Sequence, residues 1–269
     1  MPKRRRPRFE DLTETTGIPL SSEGVEMMYT RYRVATDLAS GKRVLEIGCG
    51  AGQGFGLLGR KANLVVGGDV SLALLRSGQR YYQGRFPFAQ LSAEALPFRD
   101  AAFDLVLFFE ASYYVPDMPA AFGEIARVLD DGGTVLFVNA NPERPDFIRS
   151  PHTVHYHTAE EFRASLGGLG FAVTVESAFP IGPTHGESSL LPARLVVLVR
   201  RLVEALRLVP RTLRGRARLK RLVYGKLQEL RGELPEGYAR AAPRTRVRSG
   251  PVRAFKVIYV LARKAGSAR

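Results

Sequence analysis

Cysteine, histidine and tryptophan are scarce in this sequence, and these shortages exclude several classes of protein. With a single cysteine, Cys49, the chain has no internal disulfide framework, and a reduced, cytoplasmic location is expected. The four histidines and this cysteine lack zinc-site spacing, so no bound metal is predicted. The most apolar stretch, residues 190–209, is interrupted by four arginines and a glutamate, so no integral membrane segment is predicted.

Acidic residues are also too few to balance the basic ones, and the formal net charge is +14. The excess is concentrated, because residues 193–231 contain twelve Lys and Arg side chains against two acids, Glu204 and Glu229. Residues 43–179 are roughly balanced. An anionic partner, either a membrane surface or a nucleic acid, is therefore one hypothesis. The basic residues 1–22 have no apolar core behind them, and we expect a flexible tail there, not a secretory signal.

Helical and strand patterns alternate along the chain from residue 23. The predicted helices are 23–38, 55–60, 72–83, 119–129 and 159–169, and the predicted strands are 44–47, 63–70, 88–91, 103–110, 133–140, 171–179 and 253–264. Neighbouring parallel strands need a crossover, so this order predicts an α/β fold with a doubly wound, mostly parallel seven-stranded sheet. Residues 23–269 then form one domain, and residues 180–252 are a basic helical insertion before the last strand.

The insertion contains an amphipathic pattern, "ARLVVLVRRLVEALRLV" at residues 193–209. Three interpretations remain open for this predicted helix. It is a lid packed on the core with solvated arginines, it adsorbs to an anionic membrane, or it binds RNA. RNA and other nucleic acid partners are disfavoured, because the chain has no tryptophan and no recognisable RNA-binding module.

The stretch "VLEIGCGAGQG", residues 44–54, is a buried strand that ends in a glycine-rich loop. Ligands of doubly wound sheets bind at such strand ends, where glycines let the backbone approach closely. A dinucleotide fingerprint needs a third glycine at position 53 or 55, but Gln53 and Phe55 stand there, and no P-loop lysine follows. Glu46, two residues before the loop, would repel pyrophosphate and suits a cationic ligand.

These residues resemble motif I of the class I, Rossmann-like S-adenosylmethionine-dependent methyltransferases. The resemblance covers about residues 44–138. "VVGGDVS" ends a second strand in the acid Asp69, "LSAEALPFRDAAFDLVLFFEASYYV" is similar to the family's adenine loop and fourth strand, and "EIARVLDDGGTVLFV" is similar to the helix, turn and fifth strand that follow. The resemblance implies the Rossmann-like methyltransferase fold and S-adenosyl-L-methionine as cofactor.

The resemblance also implies a role for individual residues. The methionine and ribose portions would lie along the glycine loop, and Glu46 would orient that loop or the cofactor ammonium. Asp69 would bind the ribose hydroxyls, and the Phe109 backbone would face the methionine amino group. Ser92 stands where the family often has Asp, which weakens one adenine contact. The implied cofactor-binding set is Tyr32, Glu46, Gly48, Gly50, Gly52, Asp69, Val70, Ser92, Ala93 and Phe109, and for Tyr32 plain helix packing is the alternative.

Residues for catalysis are less clearly marked. A general base is needed only if the acceptor loses a proton. The candidates are His155 and His157, which follow the fifth strand, and Tyr113, which follows the fourth. Surface solvation of the histidines and packing of the tyrosine are the alternatives.

The function predicted from the sequence is methyl transfer from S-adenosylmethionine to a small-molecule or lipid-like acceptor, with a peripheral contact to an anionic membrane as a further expectation. Two alternatives stay open. One is an RNA or protein methyltransferase that docks through the basic insertion, and the other is a module that binds the cofactor without catalysis.

Overall fold

The computed structural model describes residue 17 and residues 19–150, 152–181 and 227–266. Most of the expected N-terminal tail and the amphipathic pattern at 193–209 therefore lie outside the described residues. Residues 19–22, which the tail was expected to include, belong to the fold. Strand β1 (Pro19–Ser21) leads directly into helix α1 (Ser22–Leu38), because the buried Leu20 packs in the core and the Ser21 side chain caps the helix.

Strands and helices then alternate as the sequence predicts. The elements are β2 (Arg43–Ile47), α2 (Phe55–Leu58), β3 (Leu64–Asp69), α3 (Leu72–Tyr82), β4 (Phe88–Gln90), β5 (Phe103–Phe109), α4 (Met118–Val128), β6 (Leu129–Ala140), α5 (Ala159–Gly168), β7 (Phe171–Pro180), β8 (Leu227–Glu229), β9 (Thr245–Val247) and β10 (Phe255–Lys264). The helix ends follow local chemistry. At α5, Thr158 and Glu161 form the reciprocal capping box typical of helix starts.

One sheet has the order β4-β3-β2-β5-β6-β10-β7-β9. The pairs among β2 to β6 are parallel, and β10 lies antiparallel between β6 and β7. The α/β, doubly wound, mostly parallel fold is thus confirmed. Helices and apolar side chains cover both faces, in two core layers that meet through the sheet.

The sheet differs from the expectation in two details. It has eight strands instead of seven, because the short β9 pairs with β7 at the edge. The "DDGG" segment, residues 130–133, was expected to be a turn before a strand, but it lies inside β6. Pairing jumps there from Phe103 with Leu129 to Leu105 with Thr134, so the extra residues bulge out, with Gly132 at φ +71°.

The described part of the expected insertion, residues 227–252, contains short strands and irregular chain and no helix. The helical pattern expected for the insertion, at residues 193–209, lies outside the described residues, and Gly and Pro residues interrupt any helical pattern in residues 227–252. Residues 230–242, which we call the strap, run across α1 and the glycine loop. Its backbone donates from Leu234 to the Gln53 carbonyl at 2.8 Å and from Gly237 to the Tyr29 hydroxyl at 2.8 Å.

The strap is held by an apolar anchor, since Leu234 is fully buried in the core layer that contains α1 and α2. We expect Leu234→Ala to lower the free energy of unfolding by about 2–5 kcal/mol through lost burial and a cavity. Leu169→Ala, at a side chain that is 46% exposed, is the matched control and should change stability by less than about 0.5 kcal/mol. Urea titration measures both. Equal effects would show that the strap does not pack as described.

Candidate functional site

The candidate site lies at the carboxyl ends of β2, β3 and β5. The chain order of the strands reverses between β2 and β5, since the chain runs outward from β2 through β3 to β4 and then returns to β5. Doubly wound sheets bind ligands in the crevice at this point. The loops that follow β2, β3 and β5 contain most of the residues implied by the resemblance.

The glycine loop after β2 has a backbone that other residues would strain. Gly48, Gly50 and Gly52 have φ values of +71°, +57° and +77°. A Cβ on Gly48 would also lie 2.6 Å from the Cβ of Ala111 in the loop after β5. The two loops therefore touch through a position that has no side chain.

Asp69, at the end of β3, binds this loop directly. Its buried carboxylate accepts the Gly50 N–H at 2.9 Å through Oδ2 and the Ser71 N–H at 2.8 Å through Oδ1. The Gly48 and Cys49 N–H groups both donate to the Gly68 carbonyl. The loop is thus fixed along the last two residues of β3. A carboxylate oxygen can accept more than one hydrogen bond.

Glu46 is the second buried acid of the site, on β2. Its Oε1 accepts the Tyr32 hydroxyl at 2.7 Å, whereas its Oε2 is buried and has no hydrogen-bond partner among the described residues. Burial raises the pKa of Glu46 to about 7, and the Tyr32 hydrogen bond and the nearby Arg31 oppose this rise. Glu46 Oε2 thus lacks a donor, and the pKa of the acid lies near neutral pH. Both properties suit a ligand ammonium.

Tyr32 packs inside the fold, which was the alternative left open from the sequence, and it also binds Glu46. Its ring is 3% exposed, packs against Gly54 and meets the Phe109 ring edge-to-face at 5.4 Å, while its hydroxyl orients Glu46. Burial raises the pKa of Tyr32 well above the usual tyrosine value, and the negative charge of Glu46 raises it further. The phenol therefore stays protonated and donates its hydrogen bond to Glu46.

Arg31 is a residue that the sequence interpretation missed. It is 9% exposed, and its guanidinium carbon lies 5.7 Å from the Tyr32 ring centre and 6.0 Å from that of Phe109. The indication in the sequence was an arginine at a position where the helix has apolar neighbours, since Met28 and Tyr32 are buried beside it. Arg31 adds a positive charge next to Glu46, so the site presents both signs.

On the opposite side of Asp69, Val70 is 47% exposed although it is apolar. Ala93 is buried, and Ser92 donates to Glu94 Oε2 at 3.0 Å. The serine hydroxyl is therefore engaged within its own loop. An exposed apolar side chain beside the Ser92 loop provides a face on which an aromatic ring can lie.

The loop after β5 forms a third wall. Glu110 has φ +48°, which is unusual for a residue with a side chain, and Tyr113 donates its hydroxyl to Glu110 Oε2 at 3.0 Å. The Tyr113 ring stacks on Tyr156 at 4.2 Å between centres. Tyr156, another residue missed from the sequence, comes from the loop before α5, and the Val154 N–H of that loop donates to the Tyr113 carbonyl.

The candidate histidines lie in the same loop as Tyr156 but apart from the Tyr113 hydroxyl contact. His155 is exposed and hydrogen-bonds Glu161 Oε1 at 3.0 Å, at the start of α5. His157 packs against Phe122 and Phe162, and burial lowers its pKa. Of the three catalytic candidates, Tyr113 is the one that lies against an acid at the end of a site strand.

Comparison with known proteins agrees with this arrangement. A family model described as a methyltransferase domain matches residues 45–137, which include β2, the glycine loop, Asp69 and the loop after β5. The resemblance of these residues to a methyltransferase domain, expected from the sequence, is thus confirmed.

The methyltransferase domain has many relatives of known name. The chain is 39% identical over 120 residues to "Phthiotriol/phenolphthiotriol dimycocerosates methyltransferase 1" of Mycobacterium ulcerans, covering 43% of each chain. It is 35% identical over 133 residues to the "Fatty-acid O-methyltransferase" of Mycolicibacterium smegmatis, covering 47% of this chain and 48% of that one. For the UbiE C-methyltransferase of Xylella fastidiosa the identity is 37% over 146 residues, and the coverage is 51% and 57%. Each match spans about half of the relative's own length.

Solved structures share the fold of the methyltransferase domain. The YcgJ protein of Bacillus subtilis superposes with a TM-score of 0.57 at 17% identity, covering 89% of this chain and all of that one. The [4+2]-cyclase SpnF superposes with a TM-score of 0.57 at 18% identity, covering 91% and 83%. These likenesses show the fold, and the second neighbour is named for a different reaction.

The buried Glu46 makes stability depend on pH. Its pKa is about 7 in the folded chain against 4.5 for the free side chain, so the folded protein holds a proton that the unfolded chain has lost. Its contribution to stability therefore falls as pH rises from 4.5 to 7, by up to about 3 kcal/mol, and is constant outside this window. We expect Glu46→Gln, which keeps the Tyr32 bond, to gain stability relative to wild type across this window. Urea unfolding at pH 5 and 8 measures the difference, and an equal difference at both values would contradict it.

Proposed function

We propose that the protein transfers a methyl group from S-adenosylmethionine to a small-molecule or lipid-like acceptor. The observation that carries this proposal is the pair of buried acids, Glu46 and Asp69, that flank one glycine loop. Two acids at a loop would repel a phosphate group, whereas they suit a ligand with ribose hydroxyls at one end and an ammonium at the other.

The residues present fit this cofactor. Asp69 would accept the two ribose hydroxyls, with its orientation already set by Gly50 and Ser71. Val70, Ser92 and Ala93 would enclose the adenine, and the glycines, which have no side chains, leave room along the loop. Glu46 Oε2, which has no hydrogen-bond partner among the described residues, would accept a hydrogen bond from the ammonium.

The methionine end of the cofactor also carries a carboxylate, and Arg31 supplies the matching charge. Its guanidinium is held over the Tyr32 and Phe109 rings, at the side of the site where α1 meets the end of β5. A buried Arg and a buried Glu on adjoining elements form a dipolar pair, and an amino-acid group is the complement of such a pair.

Bound S-adenosylmethionine supplies a methyl group on a sulfonium, an electrophile that needs no covalent help from the protein. The chain's task is to hold the acceptor atom in line and to exclude water, and positioning of this kind contributes on the order of 7–11 kcal/mol. Glu110 and Tyr113 would lie on the acceptor side. Glu110 would take the proton that an acceptor hydroxyl loses. The Tyr113 hydroxyl would hold the Glu110 carboxylate in place through its hydrogen bond.

A lipid-like acceptor agrees with the aromatic wall made by Tyr113, Tyr156 and Phe147, whose ring centre lies 4.7 Å from that of Tyr156. It also agrees with the names of the relatives, which are methyltransferases of phthiotriol dimycocerosates, of fatty acids and in ubiquinone and menaquinone biosynthesis. None of the helices in the described residues is long and apolar enough to cross a bilayer.

Removing the Asp69 carboxylate should weaken cofactor binding. We expect the dissociation constant of S-adenosylhomocysteine to rise roughly 10- to 100-fold in Asp69→Ala, because two charge-assisted hydrogen bonds are lost. Asp69→Asn, which keeps one acceptor for the loop N–H groups, separates this effect from unfolding. Asp37→Asn, at an exposed ion-paired aspartate, is the control and should bind normally. Calorimetric titration with unchanged affinity in both Asp69 variants would overturn the cofactor assignment.

Tyr113→Phe should slow methyl transfer without changing cofactor affinity. Loss of the hydroxyl removes one hydrogen bond that orients the Glu110 carboxylate, and we expect kcat on hydroxyl acceptors to fall roughly 10-fold or more. Tyr81→Phe, on the exposed face of α3, is the matched control. A panel of fatty acids and hydroquinones, assayed for methylated product by mass spectrometry, supplies the acceptors. Cofactor binding with no product from any of them, and product from RNA or protein instead, would move the function to the alternative classes.

A further inference from the structure

The loop between β6 and α5 has two different sides. Its inner side packs on the acceptor wall, where Phe147 and Tyr156 meet and the Ser150 hydroxyl hydrogen-bonds Tyr114 at 3.0 Å. Its outer side presents two large apolar residues to solvent, Ile148 at 42% exposure and Val154 at 49%. The same loop thus has apolar side chains exposed directly behind the proposed acceptor site.

A third exposed apolar residue lies at the same edge of the sheet. The Asn141 side chain donates to the Val252 and Phe255 carbonyls, and Glu143 accepts the Val252 N–H, which ties this loop to the chain before β10. Ile181, 36% exposed, donates its N–H to the Ala254 carbonyl of that chain. Hydrogen bonds therefore connect the loop, the end of β7 and the start of β10 into one rim.

The rim is positively charged. Arg149 and Arg253 are exposed, and neither has an acidic partner among the described residues. The Arg149 guanidinium donates to the Val154 carbonyl, so the charge lies beside the exposed valine. The acids of the loop are engaged, since Asp146 faces Arg144 at 3.6 Å and Glu143 holds Val252.

Positive charge continues from the rim along the free edge of the sheet. Arg246 and Arg248, together with Arg163, line a shallow groove of about 300 Å³ beside β9. From Gly237 to Arg269 the sequence contains nine Arg and Lys residues and no acid. This cationic edge adjoins the apolar rim through residues 248–253.

We propose that Ile148, Val154, Ile181, Arg149 and Arg253 form a docking face that binds an anionic lipid surface. Exposed apolar side chains interleaved with arginines suit the headgroup boundary, where the apolar groups enter the acyl region and the arginines meet lipid phosphates. RNA would use the arginines and leave the three apolar side chains in water, so it matches this face less well. The proposal rests on the proposed function in one respect, because docking here would present a lipid-like acceptor to the Tyr113 side of the site.

Vesicle co-sedimentation of the full chain tests the face. The probes are vesicles of phosphatidylcholine mixed with phosphatidylglycerol, and vesicles of phosphatidylcholine alone. We expect salt-sensitive binding to the anionic vesicles, reduced roughly 10-fold in Arg149→Ser/Arg253→Ser. A similar loss is expected in Ile148→Asp/Val154→Asp, because charged side chains do not enter the acyl region.

Matched controls come from the opposite end of the sheet. Leu64, which begins β3, and Leu169, which follows α5, are as exposed as the rim residues, and Leu64→Asp/Leu169→Asp should bind vesicles like wild type. Arg80→Ser/Arg99→Ser is the corresponding control for charge. Equal binding in rim and control variants, binding to neutral vesicles as tight as to anionic ones, or binding to RNA without binding to vesicles would each overturn the docking face.

Calorimetry with S-adenosylhomocysteine separates this inference from the proposed function. The rim variants should bind it as wild type does, since no rim residue contacts the glycine loop or Asp69. Rim-dependent vesicle binding in a chain that does not bind S-adenosylhomocysteine would leave the docking face standing and sink the cofactor assignment. If the chain binds S-adenosylhomocysteine normally and the rim variants bind vesicles like wild type, the cofactor assignment stands and the docking face is wrong.

Discussion

The carboxylate of Asp69 is the constraint on which the geometry of the site depends. It closes the glycine loop onto the end of β3 by accepting a hydrogen bond from the Gly50 N–H. The Gly68 carbonyl accepts hydrogen bonds from the Gly48 and Cys49 N–H groups. A phosphate-binding protein donates its loop N–H groups to the ligand. Here these N–H groups are hydrogen-bonded within the fold instead. The position of the loop becomes a consequence of how β2 and β3 pair, with Ile47 opposite Gly68.

Burying two acids at one crevice carries an electrostatic cost that the surrounding residues reduce without removing. Tyr32 and Arg31 favour the ionised form of Glu46, burial and Asp69 disfavour it, and its pKa settles near neutrality. A site in this condition gains most from a ligand that brings positive charge and donors. The strap supports the same loop from outside, because Leu234 donates to the Gln53 carbonyl and the Glu233 carboxylate lies against Gly56.

The sequence predicts the local part of this arrangement and misses the long-range part. The strand, glycine loop and Asp69 could be predicted because period, turn chemistry and motif order all lie within about Val44 to Val138. The contact of Gly237 with Tyr29 joins residues 208 positions apart, and no spacing rule indicates it. The bulge in β6, the edge strand β9 and the stacking of Tyr156 on Tyr113 likewise arise from pairing between distant segments. Arg31 was missed because a helical pattern does not say which buried polar residue faces a site.

The family model covers only part of the proposed site. It includes the glycine loop, Asp69, Glu110 and Tyr113, whereas Arg31 and Tyr32 lie before it and Phe147, Ser150 and Tyr156 of the aromatic wall lie beyond it. The family model therefore says little about the aromatic wall. In the proposed reaction, acceptor choice would depend on how the loop after β6 packs against Tyr113. Because the outer side of this loop carries Ile148 and Val154, a change that alters docking would also move the aromatic wall, and acceptor selection and surface binding would evolve together.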